Sequence, residues 1–180
     1  MKSTRYIAFL RAINVGGRFV KMEVLRSLFS ELGFENVRTY IQSGNVFFES
    51  NELDRDVLAL KIEAHLKQAL SFEVTTILRT ISELEATVKF NPFKDLERTE
   101  DTRFCILFMA GSLPPMEFPI FSPKKDCEII AATSSELFVV LHQTPGRPSN
   151  PILFVEKHFK RLATARFAHT TEKILEAAQS

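Results

Sequence analysis

The chain has no Trp and only 2 Tyr, against 17 Phe. Its core must therefore be built on Phe, an aromatic ring that carries no polar handle. It has 2 Cys, at positions 105 and 127. Cys105 stands inside the apolar run Phe104-Cys105-Ile106-Leu107-Phe108 and reads as a reduced core residue. Nothing points to a disulfide framework or an oxidising compartment. No apolar run approaches the ~20 residues needed to span a bilayer. The first residues lead into only a short apolar stretch with no small-residue cleavage site, which reads as no signal peptide. Neither sign of charge dominates: 23 Lys and Arg face 22 Asp and Glu, for a net charge of +1. That excludes a strongly basic nucleic-acid coat and an acidic tail. What is there is ordinary for a globular protein, 45% hydrophobic and 25% charged. A soluble cytoplasmic protein with no membrane partner is expected.

Along the chain, Tyr6 to Ile13 reads as a strand ending at Asn14-Val15-Gly16-Gly17. Leu25, Leu28, Phe29 and Leu32 fall on one face of a helix over Met22 to Leu32, and Gly33 suits its left-handed end. Val37 to Gln42 alternates, Ser43-Gly44 reads as a two-residue turn, and Asn45 to Glu49 as the return strand. A second helix over Asp54 to Leu70 is expected to be capped by Ser50 or Asn51, with a strand over Glu73 to Arg79 after it. This β-α-β-β-α-β order is that of the ferredoxin-like plait.

In the second half, Thr80 with Glu83, and Ser82 with Glu85, form overlapping capping boxes that open a short helix, which ends near Asn91-Pro92. Strands follow over Arg103 to Met109, Glu128 to Thr133 and Leu137 to His142. Four prolines in Gly111 to Lys125 leave no room for a long helix. Asn150-Pro151 starts a helix that runs to about Leu162. A short strand over Thr164 to Ala168 and a helix over Thr171 to Ala178 close the chain. The fold class expected is α+β, two ferredoxin-like subdomains over residues 1–79 and 80–180. In the second, the proline-rich connector 111–125 replaces the first crossover.

One string of motifs is specific. It comprises Phe9-Leu10-Arg11-Ala12-Ile13-Asn14-Val15-Gly16-Gly17, then Lys21-Met22, Leu25-Arg26, Leu32-Gly33-Phe34 and Val37-Arg38-Thr39-Tyr40-Ile41-Gln42-Ser43-Gly44-Asn45-Val46. Over residues 5–50 it resembles the bacterial family of unknown function DUF1697. The likeness continues weakly through Asn91-Pro92-Phe93 and Phe154-Val155-Glu156-Lys157. Near its end the family usually carries Thr-Thr-Arg-Asn-Trp-Asn-Thr. Here the stretch reads Thr164-Ala165-Arg166-Phe167-Ala168-His169-Thr170, keeping the Arg and the last Thr but not the two Asn or the Trp. The resemblance implies two plait-like subdomains and nothing established about activity.

Two constellations could carry chemistry. In a two-residue hairpin Tyr40 faces Phe47, Thr39 faces Phe48 and Arg38 faces Glu49. Val37, Thr39, Ile41, Val46 and Phe48 then lie under the helices. Phe9, Tyr40 and Phe47 lie on the other face among Arg11, Arg38, Gln42 and Asn45. Rings flanked by Arg on middle strands are how RNA-recognition modules stack unpaired bases. The alternative is that this face is packed over, with Arg38 paired to Glu49, and the balanced charge favours that alternative. The second constellation is the turn Asn14-Val15-Gly16-Gly17-Arg18 ahead of the first helix, with Arg11 and Lys21 near it. Paired glycines and a helix N-terminus suit a phosphate or carboxylate. The turn is neither a Walker loop nor Gly-x-Gly-x-x-Gly, and the plain alternative is a tight turn needing positive φ. Gln42, Ser43 and Asn45 are short polar groups suited to fixing a ligand or to ordinary turn chemistry. Arg147 sits on a stiff Pro-Gly-Arg-Pro loop.

The four histidines have no metal-ligand spacing, and no cofactor or catalytic motif is present. The ligand-binding residues expected are Arg11, Asn14, Gly16, Gly17, Lys21, Arg38, Tyr40, Gln42, Ser43 and Asn45. The expected partner is an anionic small molecule or single-stranded nucleic acid. The alternatives are an enzyme acting on a phosphorylated or carboxylated substrate, which lacks a convincing general base, and a protein–protein interaction domain.

Overall fold

The computed structural model describes residues 3–143 and 149–180. Arg147 therefore lies outside the described residues. The described residues form two antiparallel sheets and five helices, a mixed α and β architecture. The chain divides into two compact units. The first runs up to Leu84 and takes back Ile174–Ser180; the second is Glu85–Lys173.

The first unit contains β1 (Thr4–Leu10), α1 (Met22–Glu31), β2 (Glu35–Tyr40), β3 (Asn45–Ser50), α2 (Arg55–Leu70) and β4 (Thr76–Thr80). The sheet order is β2-β3-β1-β4. Leu25, Leu28 and Phe29 of α1 and Leu58, Ile62 and Leu66 of α2 bury against Tyr6, Ala8, Leu10, Val46, Phe48 and Leu78. The Phe-based core is literal here, because Phe48 packs against Tyr6, Phe29 and Phe34 with ring centroids 4.6–5.6 Å apart. The opposite face is closed as well: Ile7 and Phe9 are 0% exposed and Phe47 is 4% exposed.

The β2–β3 hairpin differs from the expected one. Tyr40 faces Asn45, Thr39 faces Val46 and Arg38 faces Phe47, so four residues, 41–44, join the strands. Gly44 is the reason. Its carbonyl accepts from Leu10 N at 2.8 Å, and a Cβ there would lie 3.0 Å from Leu10 Cβ. The register moves by two residues, so the paired side chains of Arg38, Thr39, Tyr40, Asn45, Val46 and Phe47 keep their expected faces. Ile41 and Gln42 leave the sheet: Ile41, expected under the helices, sits exposed in the loop at φ 51°, and Gln42, expected on the opposite face, is exposed in the same turn. The cap of α2 is Asp54, which accepts from Asp56 N and Val57 N, rather than Ser50 or Asn51.

α3 (Ile81–Phe90) opens on the Thr80/Glu83 box. The second unit then holds β5 (Thr102–Met109), β6 (Ile120–Phe121), β7 (Cys127–Ala132), β8 (Glu136–His142), α4 (Pro151–Phe159) and β9 (Ala163–Phe167). α5 (Ala168–Gln179) starts in this unit and ends in the first. The sheet order is β6-β7-β8-β5-β9. With β6 set aside, this is the order of the first sheet. Leu113, Met116 and Ile120 of the proline-rich connector pack on the same core as Val155 of α4. The connector thus adds apolar cover to the same core. The two-residue strand β6 has no signal in the sequence pattern. α4 stops three residues short of Leu162, because Lys160 turns left-handed at φ 55°.

Candidate functional site

The two polar segments of the first unit meet. Asn14, at φ 57°, has a conformation that Asn tolerates better than most side chains. Its Oδ1 accepts from Val20 N at 2.8 Å. Its Nδ2 donates to Val20 O at 3.2 Å and across to Gln42 O at 2.8 Å. One side chain therefore closes the 14–20 loop and ties it to the 41–44 turn. Asn45 is fully buried and donates to Tyr40 O and Ser43 Oγ, closing the turn from inside. Asn14, Ser43 and Asn45 are thus spent on building the platform, not displayed on it.

Gly16 and Gly17, at φ 62° and 84°, are exposed with open space at both Cβ positions. Lys21 is exposed at the start of α1, whose N-terminus has no side-chain cap. Arg11 is half-buried, and its N–H donates to Thr75 O at 2.9 Å. Arg18, close to Lys21 in sequence, lies over the Phe72 ring at 5.3 Å. Val15 and Phe19 are 65% and 82% exposed on the same loop.

Arg38 belongs to a different group. It lies over the Phe47 ring and donates to Ala177 O and Ala178 O at the end of α5. Arg5, which the motif reading omitted, donates to Ala178 O as well. Both line a cavity of about 550 Å³ with Asn36, Glu49 and Gln179. Glu49 pairs with Ser3 and Asn36, not with Arg38 as expected. Those two hydrogen bonds, helped by the charge of Arg5, hold its carboxyl below the ordinary carboxylate value. Tyr40 is half-buried at the end of β2. The sheet face that would stack bases thus has its rings, Phe9 and Phe47, out of reach of a ligand. Among the described residues no cluster of His, Cys, Asp or Glu could hold a metal ion, and no helix is long and apolar enough to cross a membrane. Cys105 and Cys127 are free and buried, and burial pushes both thiols up to about 12.

The model of the family described as a protein of unknown function, DUF1697, matches residues 3–138, and the chain belongs to that family. The structure is similar to that of the conserved bacterial protein SP0830 from Streptococcus pneumoniae. That likeness has 25% identity and a TM-score of 0.72, and covers 99% of this chain and 100% of that one. No curated protein matches.

Proposed function

We propose that the protein binds a small anionic ligand, phosphorylated or carboxylated, on the platform made by residues 11–21 and 41–44. The observation behind this reading is the Asn14 bridge. It holds an open di-glycine turn and an uncapped helix start beside the 41–44 turn, with Arg11 and Lys21 at the two ends of the loop. Base stacking is left out of the reading, since Phe9 and Phe47 are buried. Each unit is proposed to be a ferredoxin-like plait, supported by the β2-β3-β1-β4 order and its repeat in the second sheet. A bacterial origin is supported by the streptococcal likeness, and a cytoplasmic location by the two free cysteines.

The test is an amide-resolved NMR titration with inorganic phosphate and glucose 6-phosphate. Shifts should localise to Gly16, Gly17 and the first turn of α1. Lys21→Ala and Arg11→Ala should each weaken binding about tenfold, the size of one charge-assisted contact. Saturable binding elsewhere, or unchanged affinity in both variants, sinks the reading. A second reading, contact with a protein partner, is favoured by the exposed Phe19 and Val15. Phe19→Ser separates the two, since it leaves the phosphate titration unchanged if the anion site is correct.

A further inference from the structure

The second unit carries a pocket of about 250 Å³ that owes nothing to the loop platform. Three stretches far apart in sequence line it: 91–98, the start of β5, and the β9–α5 junction. Its aromatic lining consists of two stacked pairs. Phe93 and Phe104 stand 4.8 Å apart at an interplanar angle of 6°. Phe167 and His169 stand 5.8 Å apart at 11°. Phe93 is buried, whereas Phe167 is 43% exposed and His169 beside it is exposed as well.

The charge around the pocket is sorted. The connector over residues 94–101 contains two cations, Lys94 and Arg98, and four carboxylates, Asp95, Glu97, Glu100 and Asp101. Both cations line the pocket and none of the four carboxylates does. Lys94 N donates to Asn91 O at 3.4 Å, but neither cationic side chain has an ion pair or hydrogen bond among the described residues. Arg103 adds a third positive charge, held in position by its bonds to Glu100 O and Thr102 O. Glu172 is the only carboxylate in the lining. The pocket also takes in Ala168, the first residue of α5, whose first turn carries no acid. The positive end of that helix reinforces the cations. A protein with a net charge of +1 has thus gathered three unit positive charges against one negative beside a pair of exposed flat rings.

We propose that this pocket binds a planar aromatic ring bearing an anionic group, with a nucleoside monophosphate as the leading ligand. The ring stacks on the outer face of the Phe167–His169 pair, and the anion is held by Lys94 and Arg98. Stacking on a protein ring and pairing with a guanidinium are independent contributions, so neither half of the ligand should suffice alone. At about 250 Å³ the pocket is at the small end of ligand sites, which favours a single ring with its anion over a longer chain.

Calorimetric titration of the full chain with AMP, adenosine, inorganic phosphate and benzoate tests the proposal. AMP should bind saturably, and adenosine and phosphate each at least about tenfold more weakly. Benzoate matching AMP supports the same chemistry with a carboxylate as the anion. Phe167→Ala and the double variant Lys94→Ala/Arg98→Ala alter exposed side chains and should preserve the fold. Each should lower AMP affinity about tenfold, the charge variant with a reduced salt dependence. Phosphate binding as tightly as AMP, unchanged AMP affinity in both variants, or no saturable AMP binding would overturn the proposal. Every titration is run in the Lys21→Ala background, which weakens binding at the loop platform, so AMP binding that survives there and is lost with Phe167→Ala belongs to this pocket.

Discussion

At the scale of single residues, the polar side chains of the motif string divide into those that build and those that face outward. Asn14 builds. It makes three hydrogen bonds while holding a left-handed φ, so its replacement removes bonds and strains the backbone together. Asn14→Ala should cost about 2–4 kcal/mol in urea unfolding, from the lost bonds and the left-handed penalty combined. Asn14→Gly should recover only the backbone part, about 1 kcal/mol. A loss below about 0.5 kcal/mol for the alanine variant would mean that the bridge does not hold the two turns. The residue types of this string were legible in the sequence as turn chemistry. What was not legible was the direction of their hydrogen bonds. Asn14 could equally have offered its amide to a ligand, and only the meeting of residues 14 and 42 decides that it does not. The AMP pocket was illegible for a similar reason. Phe104 and Phe167 read as ordinary strand residues until β5 and β9 pair.

At the scale of elements, the Thr80/Glu83 capping box was read correctly from the sequence, whereas the α2 cap was placed at Ser50 or Asn51 and is Asp54. The Thr80/Glu83 box forms in both directions, with Thr80 N donating to Glu83 Oε2 at 2.7 Å and Glu83 N donating to Thr80 Oγ1 at 3.2 Å. Arg55 adds a 3.0 Å ion pair from α2. Burial pushes the Glu83 carboxyl up, but the hydrogen bonds from Thr80 and Arg55 outweigh it, and the net pKa is lowered. A lowered carboxylate pKa contributes stability that is present above the unfolded value and lost as the pH falls through the folded one. Glu83→Gln should therefore be less stable than the parent at neutral pH, and the two should converge as the pH falls below about 4. Urea midpoints measured along that pH series check it, and a gap independent of pH would refute it. Thr80→Ala should cost about 1 kcal/mol at neutral pH, and part of that cost should fade as Glu83 is protonated, because the Thr80 hydroxyl donates to its carboxylate. The hairpin was misread at this same scale, because its length is set by the tertiary contact of Gly44 with Leu10 and not by Ser43-Gly44 itself.

At the scale of the whole molecule, the scarcity of Tyr, Cys and Trp becomes an experimental handle. Tyr6 and Tyr40 both lie in the first unit, and Cys105 and Cys127 both lie in the second. With no Trp, tyrosine emission reports on the first unit alone. Buried thiols raised to about 12 are unreactive until the second unit opens, so their labelling reports on that one. The first unit also depends on residues 174–180, the far end of the chain. Ile174 and Ala178 are buried, and Arg5 and Arg38 bond the last carbonyls of α5, where cations are favoured by the helix dipole. Removing residues 174–180 should lower the tyrosine-monitored urea midpoint by more than the thiol-monitored one. Burying Ile174 alone is worth about 2 kcal/mol, so the shift is measurable. An unchanged tyrosine transition would show that the first unit does not need its C-terminal segment. An equal shift in both probes would show that the two units unfold as one.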